Sequence, residues 1–506
     1  MMKIFNALQT REIDNCTIIN QGIESIDLME RASLAVYELL INRLDPRLPV
    51  YIFAGSGNNG GDALAIARML LLNHYHLLVF LVNTEDKLSV DCRINKKRLE
   101  HLLPVYEISQ KEDIPSIPSD CTIIDGLFGS GLNRPLEGIY HKIVHAINES
   151  GNKVYSIDMP SGLFIEDNGG DDNNAIIKAE EVFTFQSPKL SLLLPDSNSF
   201  LQKMTIVDIG LCQKCMDEQP TDYNFLQGED IINLISPRSL FSHKGDFGRA
   251  LIIAGSYGKM GAAVLAAKAC LRAGVGLLTM HIPSCGAEIV QTAVPEAMVD
   301  VDNVREQNSK LNISDSDIEK FTIGIGPGIG TNSSVRELLS YLLDKYRKPL
   351  VIDADALNLI AEDDSLKEAI PQKSILTPHP IEFERLVGEK FNNAYKRLQA
   401  ARKFAATHDV YIVLKGAYTA IVTPEKKVYF NSTGNPGMAT GGSGDILTGI
   451  ITSLLAQKYT PLDASLAGVY LHGLAADLVT KSISERSLLP SDIVEYIGHA
   501  YLKLEK

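Results

Sequence analysis

The chain carries only seven cysteines in 506 residues, and none of its apolar runs reaches the length needed to cross a membrane. So few thiols do not make a disulfide framework, and the odd count leaves at least one unpaired. Cys212 and Cys215 form a single CxxC with no second pair to complete a zinc site, and the polar stretch 213–222 that begins right after Cys212 reads as a linker. Residues 1–10 are short of apolar side chains, so no secretory start is expected and the expected compartment is the cytoplasm, with no membrane partner. Basic residues are also in short supply. With 48 Lys and Arg against 62 Asp and Glu, the net charge of −14 argues against a general nucleic-acid or anionic-membrane surface. A phosphate-bearing ligand therefore needs a locally built site.

What is present is an ordinary globular composition, 45% hydrophobic and 22% charged, in a chain too long for one hydrophobic core. Two or three domains are expected. Short β-rich runs at 50–54, 77–82, 122–125, 154–158, 182–185 and 205–209 alternate with helical ones such as 62–72, which reads as a parallel sheet covered by helices. The pattern restarts at 250–254, and 419–431 reads as a hairpin around Thr423-Pro424-Glu425. The expected division is 1–215 and 222–506, both α/β, with ligands beyond the C-terminal ends of the strands.

Near the C-terminus, Asn435-Pro436-Gly437-Met438-Ala439-Thr440-Gly441-Gly442-Ser443-Gly444-Asp445 runs into the apolar stretch 446–451. Glycines admit a ligand close to the backbone, and the first turn of the following helix offers unpaired N–H groups to a phosphate. A carboxylate there repels an anion unless it accepts a proton or holds a metal. The plainer reading is a flexible loop before a buried helix. The block resembles the anion hole and catalytic aspartate of the ribokinase-like fold, in the version carried by ADP- or ATP-dependent NAD(P)HX dehydratases. Other segments stand in that family's order across 245–449: 248–256 with Gly248-Arg249-Ala250 and Gly255-Ser256, Lys259-Met260-Gly261-Ala262-Ala263, Leu271-Arg272-Ala273-Gly274-Val275-Gly276-Leu277, Gly324-Ile325-Gly326-Pro327-Gly328, Ile352-Asp353-Ala354-Asp355-Ala356-Leu357-Asn358, Thr377-Pro378-His379-Pro380 and Leu414-Lys415-Gly416-Ala417.

In the first half, the run at 50–54 leads into Gly55-Ser56-Gly57-Asn58-Asn59-Gly60-Gly61-Asp62 and then a helical segment. This suits a pyrophosphate contact, although a structural turn capped by Asp62 fits as well, and neither GxGxxG nor a Walker lysine is present. Two later strand ends add Asp125-Gly126-Leu127-Phe128-Gly129 and Asp158-Met159-Pro160-Ser161-Gly162. Either aspartate taken alone could be a turn or cap residue. Together with Ser25-Ile26-Asp27-Leu28-Met29-Glu30-Arg31-Ala32, these loops resemble the Rossmann-like NAD(P)HX epimerase domain over residues 1–210.

A fusion of the two resembles the bifunctional NAD(P)HX repair enzymes, which act on nicotinamide cofactors hydrated at C6 of the reduced ring. The resemblance implies that Asn58, Asn59, Gly60, Gly61 and Asp62, with Gly129, Ser130, Gly131, Leu132, Asn133, Arg134 and Pro135, hold NADHX or NADPHX in the epimerase half. Asp158 is the implied base, and Asn59, Asp125 and Ser161 the implied potassium ligands, an oxygen-only set suited to a hard cation. In the dehydratase half it implies Ala262, Gly328, His379 and Asp445 for the hydrated cofactor, with Asp445 catalytic. Lys415, Gly416, Ala417, Tyr418, Thr419 and Gly444 are implied for ADP or ATP with Mg²⁺. A homo-oligomer is expected. His379 between two prolines also reads as a rigid turn, and Lys415 as a solvated lysine. Ala63 and Ile381 stand where the families' motifs have glycine. Two rivals are a small-molecule kinase on the ribokinase-like fold and an NAD-dependent oxidoreductase, the latter weakened by the missing GxGxxG.

Overall fold

The computed structural model describes residues 1–84, 87–169 and 175–505. The chain forms two compact units: Lys3–Thr221 with Asn392–Tyr395, and Asp222–Phe391 with Lys396–Lys506 and Met1–Met2.

The first unit is built on a seven-stranded parallel sheet. Val50–Ala54 is central; Leu77–Val82 and Val105–Ile108 add on one side, and Thr122–Gly126, Lys153–Ile157, Ala179–Phe185 and Leu201–Val207 on the other. Strand order therefore reverses between Val50–Ala54 and Thr122–Gly126, which opens a crevice at their C-terminal ends. Ala54 pairs with Gly126, so the loops leaving both strands emerge side by side. The helix Asn58–Leu72 starts directly over this crevice because of glycine. A Cβ at Gly60 would lie 1.7 Å from the Gly55 carbonyl oxygen, so any other residue would push the helix start away from the strand end. The motif departure at Ala63 is accommodated opposite another glycine, since a Cβ on Gly126 would fall 2.5 Å from the Ala63 methyl.

The second unit holds an eleven-stranded sheet. Arg249–Ile253 is flanked by Leu277–Ile282 and Met298–Val301 on one side, and by Thr322–Ile325, Val351–Ile352, Ile375–Leu376 and Tyr411–Leu414 on the other, all parallel. The hairpin expected from sequence is present as Ala420–Val422 and Val428–Phe430, antiparallel and turning at 423–427. Order again reverses beside the first strand, between Arg249–Ile253 and Thr322–Ile325. The helix Ser443–Ala456 is apolar on nearly every face and is buried. A Cβ on Gly449 would stand 2.2 Å from the Ala266 carbonyl oxygen, so glycine lets this helix lie against Met260–Arg272.

The polar stretch 213–222 is not a bare linker. Gln213–Glu218 is helical, and Cys215 is buried and disulfide-bonded to Cys16 on the helix Ala7–Gln21, beside Phe5 and Ile13. Cys212 stays a free thiol, so the two cysteines of the CxxC have different fates. The pairing partner lies 199 residues away, out of reach of any local pattern. The edge strand begins at Leu201, earlier than its apolar residues suggest, because Gln202 and Lys203 are exposed there. Among the described residues, no helix is long and apolar enough to cross a membrane.

Candidate active sites

In the first unit the strand ends gather three groups. Asp125 is wholly buried. Its Oδ1 accepts from Ser161 Oγ at 2.6 Å and the Leu127 N–H at 3.2 Å, and its Oδ2 from Ser156 Oγ at 2.8 Å and the Ser161 N–H at 2.9 Å. Burial raises its pKa, opposed by these hydrogen bonds. Ser161 Oγ also lies 3.2 Å from the Phe128 carbonyl oxygen, which makes a compact oxygen cluster. Asn59 lies against the loop after this strand: a Cβ on Gly129 would be 3.2 Å from its Oδ1, and its Nδ2 is buried with no partner. The three proposed potassium ligands thus come from neighbouring strand ends, and the orphaned carboxamide marks a place where a flipped amide would present oxygen. Among the described residues no three His, Cys, Asp or Glu side chains gather as a metal site.

Asp158 follows the strand Lys153–Ile157 with φ of 64°, a left-handed conformation that Asp tolerates better than most residues. Its Oδ2 accepts the Ser130 N–H at 2.9 Å, tying the carboxylate to the loop 129–135. Its Oδ1 pairs with Lys189 Nζ at 3.1 Å, and both side chains are buried. Burial pushes the Asp158 pKa up, but the Lys189 ammonium and the Ser130 hydrogen bonds outweigh it and hold the carboxyl below its usual range. Sequence reading missed Lys189. Its ammonium also donates to Thr184 Oγ1, the Phe185 carbonyl and the Ser187 carbonyl, and the one available signal was a lysine opening the apolar run 189–194. Asp62 points inward, accepting from Ser33 Oγ at 3.0 Å, whereas Asn58, Asn133 and Arg134 are exposed at the rim.

In the second unit, the register aligns the ends of five parallel strands. Gly326, Asp353, Thr377-Pro378-His379 and Lys415 line up past them, and the Lys415 N–H donates to the Pro378 carbonyl at 3.0 Å. Lys415 Nζ donates to Asp353 Oδ1 at 3.0 Å, and Thr448 Oγ1 to Asp353 Oδ2 at 2.7 Å. Burial lowers the Lys415 pKa, but Asp353 and Glu382 outweigh it and raise it overall. This lysine is not a solvated one. The glycine loop lies directly over the pair: a Cβ on Gly444 would stand 3.3 Å from Lys415 Nζ and 3.7 Å from Asp353 Oδ2. Gly442, at φ 104°, caps the helix Ser443–Ala456 with no side-chain bond. No backbone acceptor among the described residues takes the N–H of Gly444 or Asp445, which leaves two donors for an anion. Burial and the neighbouring Asp353 push the Asp445 carboxyl up to about 7, against the pull of Lys415.

Lys415, Gly416, Ala417, Tyr418 and Thr419 form one turn closed by Thr419 Oγ1, which accepts from the Gly416 N–H and donates to the Gly416 carbonyl. Ala262 and Gly328 meet, since a Cβ on Gly328 would be 3.1 Å from the Ala262 methyl. His379 caps the helix Pro380–Val387: its Nδ1 accepts the N–H groups of Ile381 and Glu382, and Pro380 opens the first turn. His379 therefore makes a rigid turn through Nδ1, which does not decide its contact with the hydrated cofactor, and its Nε2 faces Glu382 Oε1 at 3.3 Å. Ile381, at the motif's glycine position, is exposed.

Residues 25–191 match the family model described as YjeF-related protein N-terminus, and residues 250–499 the one described as NAD(P)H-hydrate dehydratase. A bifunctional NAD(P)H-hydrate repair enzyme of Moorella thermoacetica is 33% identical over 100% of this chain and 98% of its own. The chain belongs to the bifunctional NAD(P)H-hydrate repair enzymes. Another, from Coxiella burnetii, is 32% identical over 98% of this chain and 99% of its own. The crystal structure of an ADP/ATP-dependent NAD(P)H-hydrate dehydratase from Bacillus subtilis, co-crystallized with ATP/Mg²⁺, is 32% identical, covers 56% of this chain and 99% of that one, and has a TM-score of 0.49. As in the expectation from sequence, the fold of this repair enzyme is a Rossmann-like α/β unit followed by a ribokinase-like one. Besides Lys189, the residues that sequence reading left without a role in it are Asp353, Glu382 and Thr448, which surround Lys415 or its partner.

Proposed function

We propose that the two sites divide one repair between them: the first interconverts the R and S epimers of NAD(P)HX, and the second dehydrates the S epimer at the expense of ADP or ATP. The observation that carries the dehydratase reading is Asp445, a carboxyl pushed up to about 7, in the first turn of a helix whose Gly444 and Asp445 N–H groups are unpaired. Hydroxide is a poor leaving group, and phosphorylating the C6 hydroxyl removes that obstacle. Asp445 takes the hydroxyl proton, the unpaired N–H groups hold the transferring phosphoryl, and Lys415 balances its charge. Phosphate then leaves as the ring-nitrogen lone pair forms a C6–N double bond, and loss of a proton from C5 to solvent makes the C5–C6 double bond and restores NAD(P)H. The turn 415–419 takes the adenine nucleotide, with ADP the favoured donor and AMP and phosphate the products. Mg²⁺ is expected to arrive on the nucleotide phosphates, keeping several waters. Asp353 is already engaged by Lys415 and Thr448, which fits a phosphate-borne ion better than a protein cage.

In the epimerase site, Asp158 is the carboxylate at the reacting hydroxyl, aimed by Ser130 and held ionised by Lys189. Asn58 to Asp62 and the loop 129–135 hold the substrate. Asp125, Ser161 and Asn59 would hold K⁺, which would supply a fixed positive charge for substrate oxygens. Asp125→Asn is expected to raise the K⁺ concentration for half-maximal epimerisation on the order of 10–100-fold, judged by the usual cost of disturbing a metal's supporting contacts. Added KCl should restore most of the rate; a loss indifferent to K⁺ would remove Asp125 from the metal site.

The direct test incubates the protein with hydrated NADH, ADP, Mg²⁺ and K⁺ and follows the return of NADH absorbance. A kinase on the same fold would instead accumulate a stable phosphorylated product. Separately produced chains covering 1–221 and 222–506, cut at the unit boundary instead of within the helix Gln213–Glu218, should each fold, and the second should consume only the S epimer. Equal consumption of both epimers by 222–506 would refute the division of labour. Light scattering on the full chain tests the homo-oligomer.

A further inference from the structure

Asp14 lies on the helix Ala7–Gln21, far in sequence from every loop considered above. Its side chain is half-buried, and no side chain or backbone N–H among the described residues bonds its carboxyl. One turn earlier on the same helix, Arg11 reaches the substrate loop: a Cβ on Gly131 would stand 3.3 Å from its Nη2. Asp14 therefore faces the same crevice as the loop 129–135, within electrostatic reach of Asp158 and Lys189. Asp62, on the helix Asn58–Leu72, shares this field with Asp14 and Asp158. Asp14 and Asp158 thus share the field of one ammonium, and Lys189 bonds only Asp158 of the two.

We propose that Asp14 is a second catalytic residue of the epimerase, the acid that protonates the departing C6 hydroxyl, working opposite the ionised Asp158. The proposal rests on the epimerase reading of this site. Asp158 is held charged by its bonded lysine and is poorly suited to donate a proton. Asp14 has no bonded cation, and burial, then repulsion by Asp158, push its carboxyl up to about 6, against the pull of Lys189. Two carboxyls in one site with environments that drive them apart are the pattern of an acid and a base. In the step, Asp14 gives its proton to the hydroxyl, the C6–O bond breaks, and water leaves. The ring-nitrogen lone pair forms the C6–N double bond of an iminium. A water then forms a new C6–O bond on the other face of the ring, electrons return to nitrogen, and the water's proton passes to Asp158. The net transfer, Asp14 to Asp158, is reset through solvent, and nothing is oxidised or reduced.

The test uses the full chain with R-NADHX and K⁺, omitting ADP so that the dehydratase is silent, and follows R-to-S exchange after subtracting the uncatalysed rate. Asp14→Asn keeps the side-chain shape and should lower catalysed exchange by at least about 100-fold, the usual weight of a general acid. Dehydration of S-NADHX, assayed with ADP on the same sample, should be unchanged, and an unchanged thermal unfolding transition of the first unit reports that the unit carrying Asp14 is folded. Because the acid must be protonated, catalysed exchange by the unsubstituted chain should fall as pH rises through about 6. Exchange by Asp14→Asn within threefold of the unsubstituted protein, or a level profile from about pH 5 to 8 before substitution, overturns the proposal. If the unsubstituted chain does not accelerate exchange at all, the epimerase reading falls with it. Rapid exchange lost neither by substitution nor by pH removes Asp14 alone.

Discussion

Asp445→Asn is expected to reduce nucleotide-dependent dehydration of S-NADHX by about a thousandfold, ~4 kcal/mol of barrier, with epimerisation untouched. The substitution removes the one carboxyl in the glycine loop and keeps its size. Lys415, Asp353 and Thr448 bond one another without it, so nucleotide affinity should change little. The pH profile provides a second readout. A base must be ionised to accept a proton, and Asp445 is pushed up to about 7 by burial and Asp353. Dehydration by the unsubstituted chain should therefore climb roughly tenfold per unit below that pH and level above it. Asp445→Asn should leave a low rate without this limb. Near-normal turnover by a folded Asp445→Asn protein would end the assignment, and a profile flat across about pH 6 to 8 would show that another group takes the proton.

The second large effect is at Asp158. Asp158→Asn should abolish accelerated R-to-S exchange, a fall on the order of 10²–10⁴-fold, while S-epimer dehydration by the same chain continues. Asparagine is chosen over alanine because the backbone there is left-handed, at φ 64°, and alanine would add strain to the loss of charge. Removing the carboxylate also leaves the buried Lys189 ammonium without its ion pair, so the first unit should lose stability as well. Lys189→Met at the same time relieves that unpaired charge. If the double variant regains thermal stability but not exchange, the carboxylate's role is chemical. If Asp158→Asn instead keeps its exchange rate, or recovers it on adding K⁺, the roles of Asp158 and Asp125 would have to be exchanged.

Local sequence went a long way toward these sites. The alternation of β-rich and helical runs gave two parallel α/β halves, and aspartates beside glycine loops, Asp125 and Asp158 at strand ends and Asp445 at a helix start, stood out as candidates. Such loops are legible because close backbone approach excludes a Cβ, as at Gly60, and leaves glycine as the mark. His379 was ambiguous for the opposite reason: a histidine between two prolines has the same local pattern whether it caps a helix or meets a ligand. The structure shows the cap, made through Nδ1, and a ligand contact through the rest of the ring is compatible with it. Lys415 next to glycine was equally open, and its neighbours Asp353 and Glu382 decide it, since an ammonium bonded to a buried carboxylate is not a solvated surface group.

By itself, then, the sequence determined the fold class, the order of the two units and the strand-end loops that carry the chemistry, because periodicity, glycine placement and strand-end carboxylates are written over a few consecutive residues. Tertiary structure alone decided which charges face one another. Lys189 against Asp158, Asp353 beneath Gly444, Asp14 beside the epimerase loops and Cys16 bonded to Cys215 join elements distant along the chain. The physical reason is desolvation. A buried ionisable group takes its protonation state from whatever lies a few ångströms away, and that neighbour is set by the packing of sheets and helices, not by the residues on either side of it.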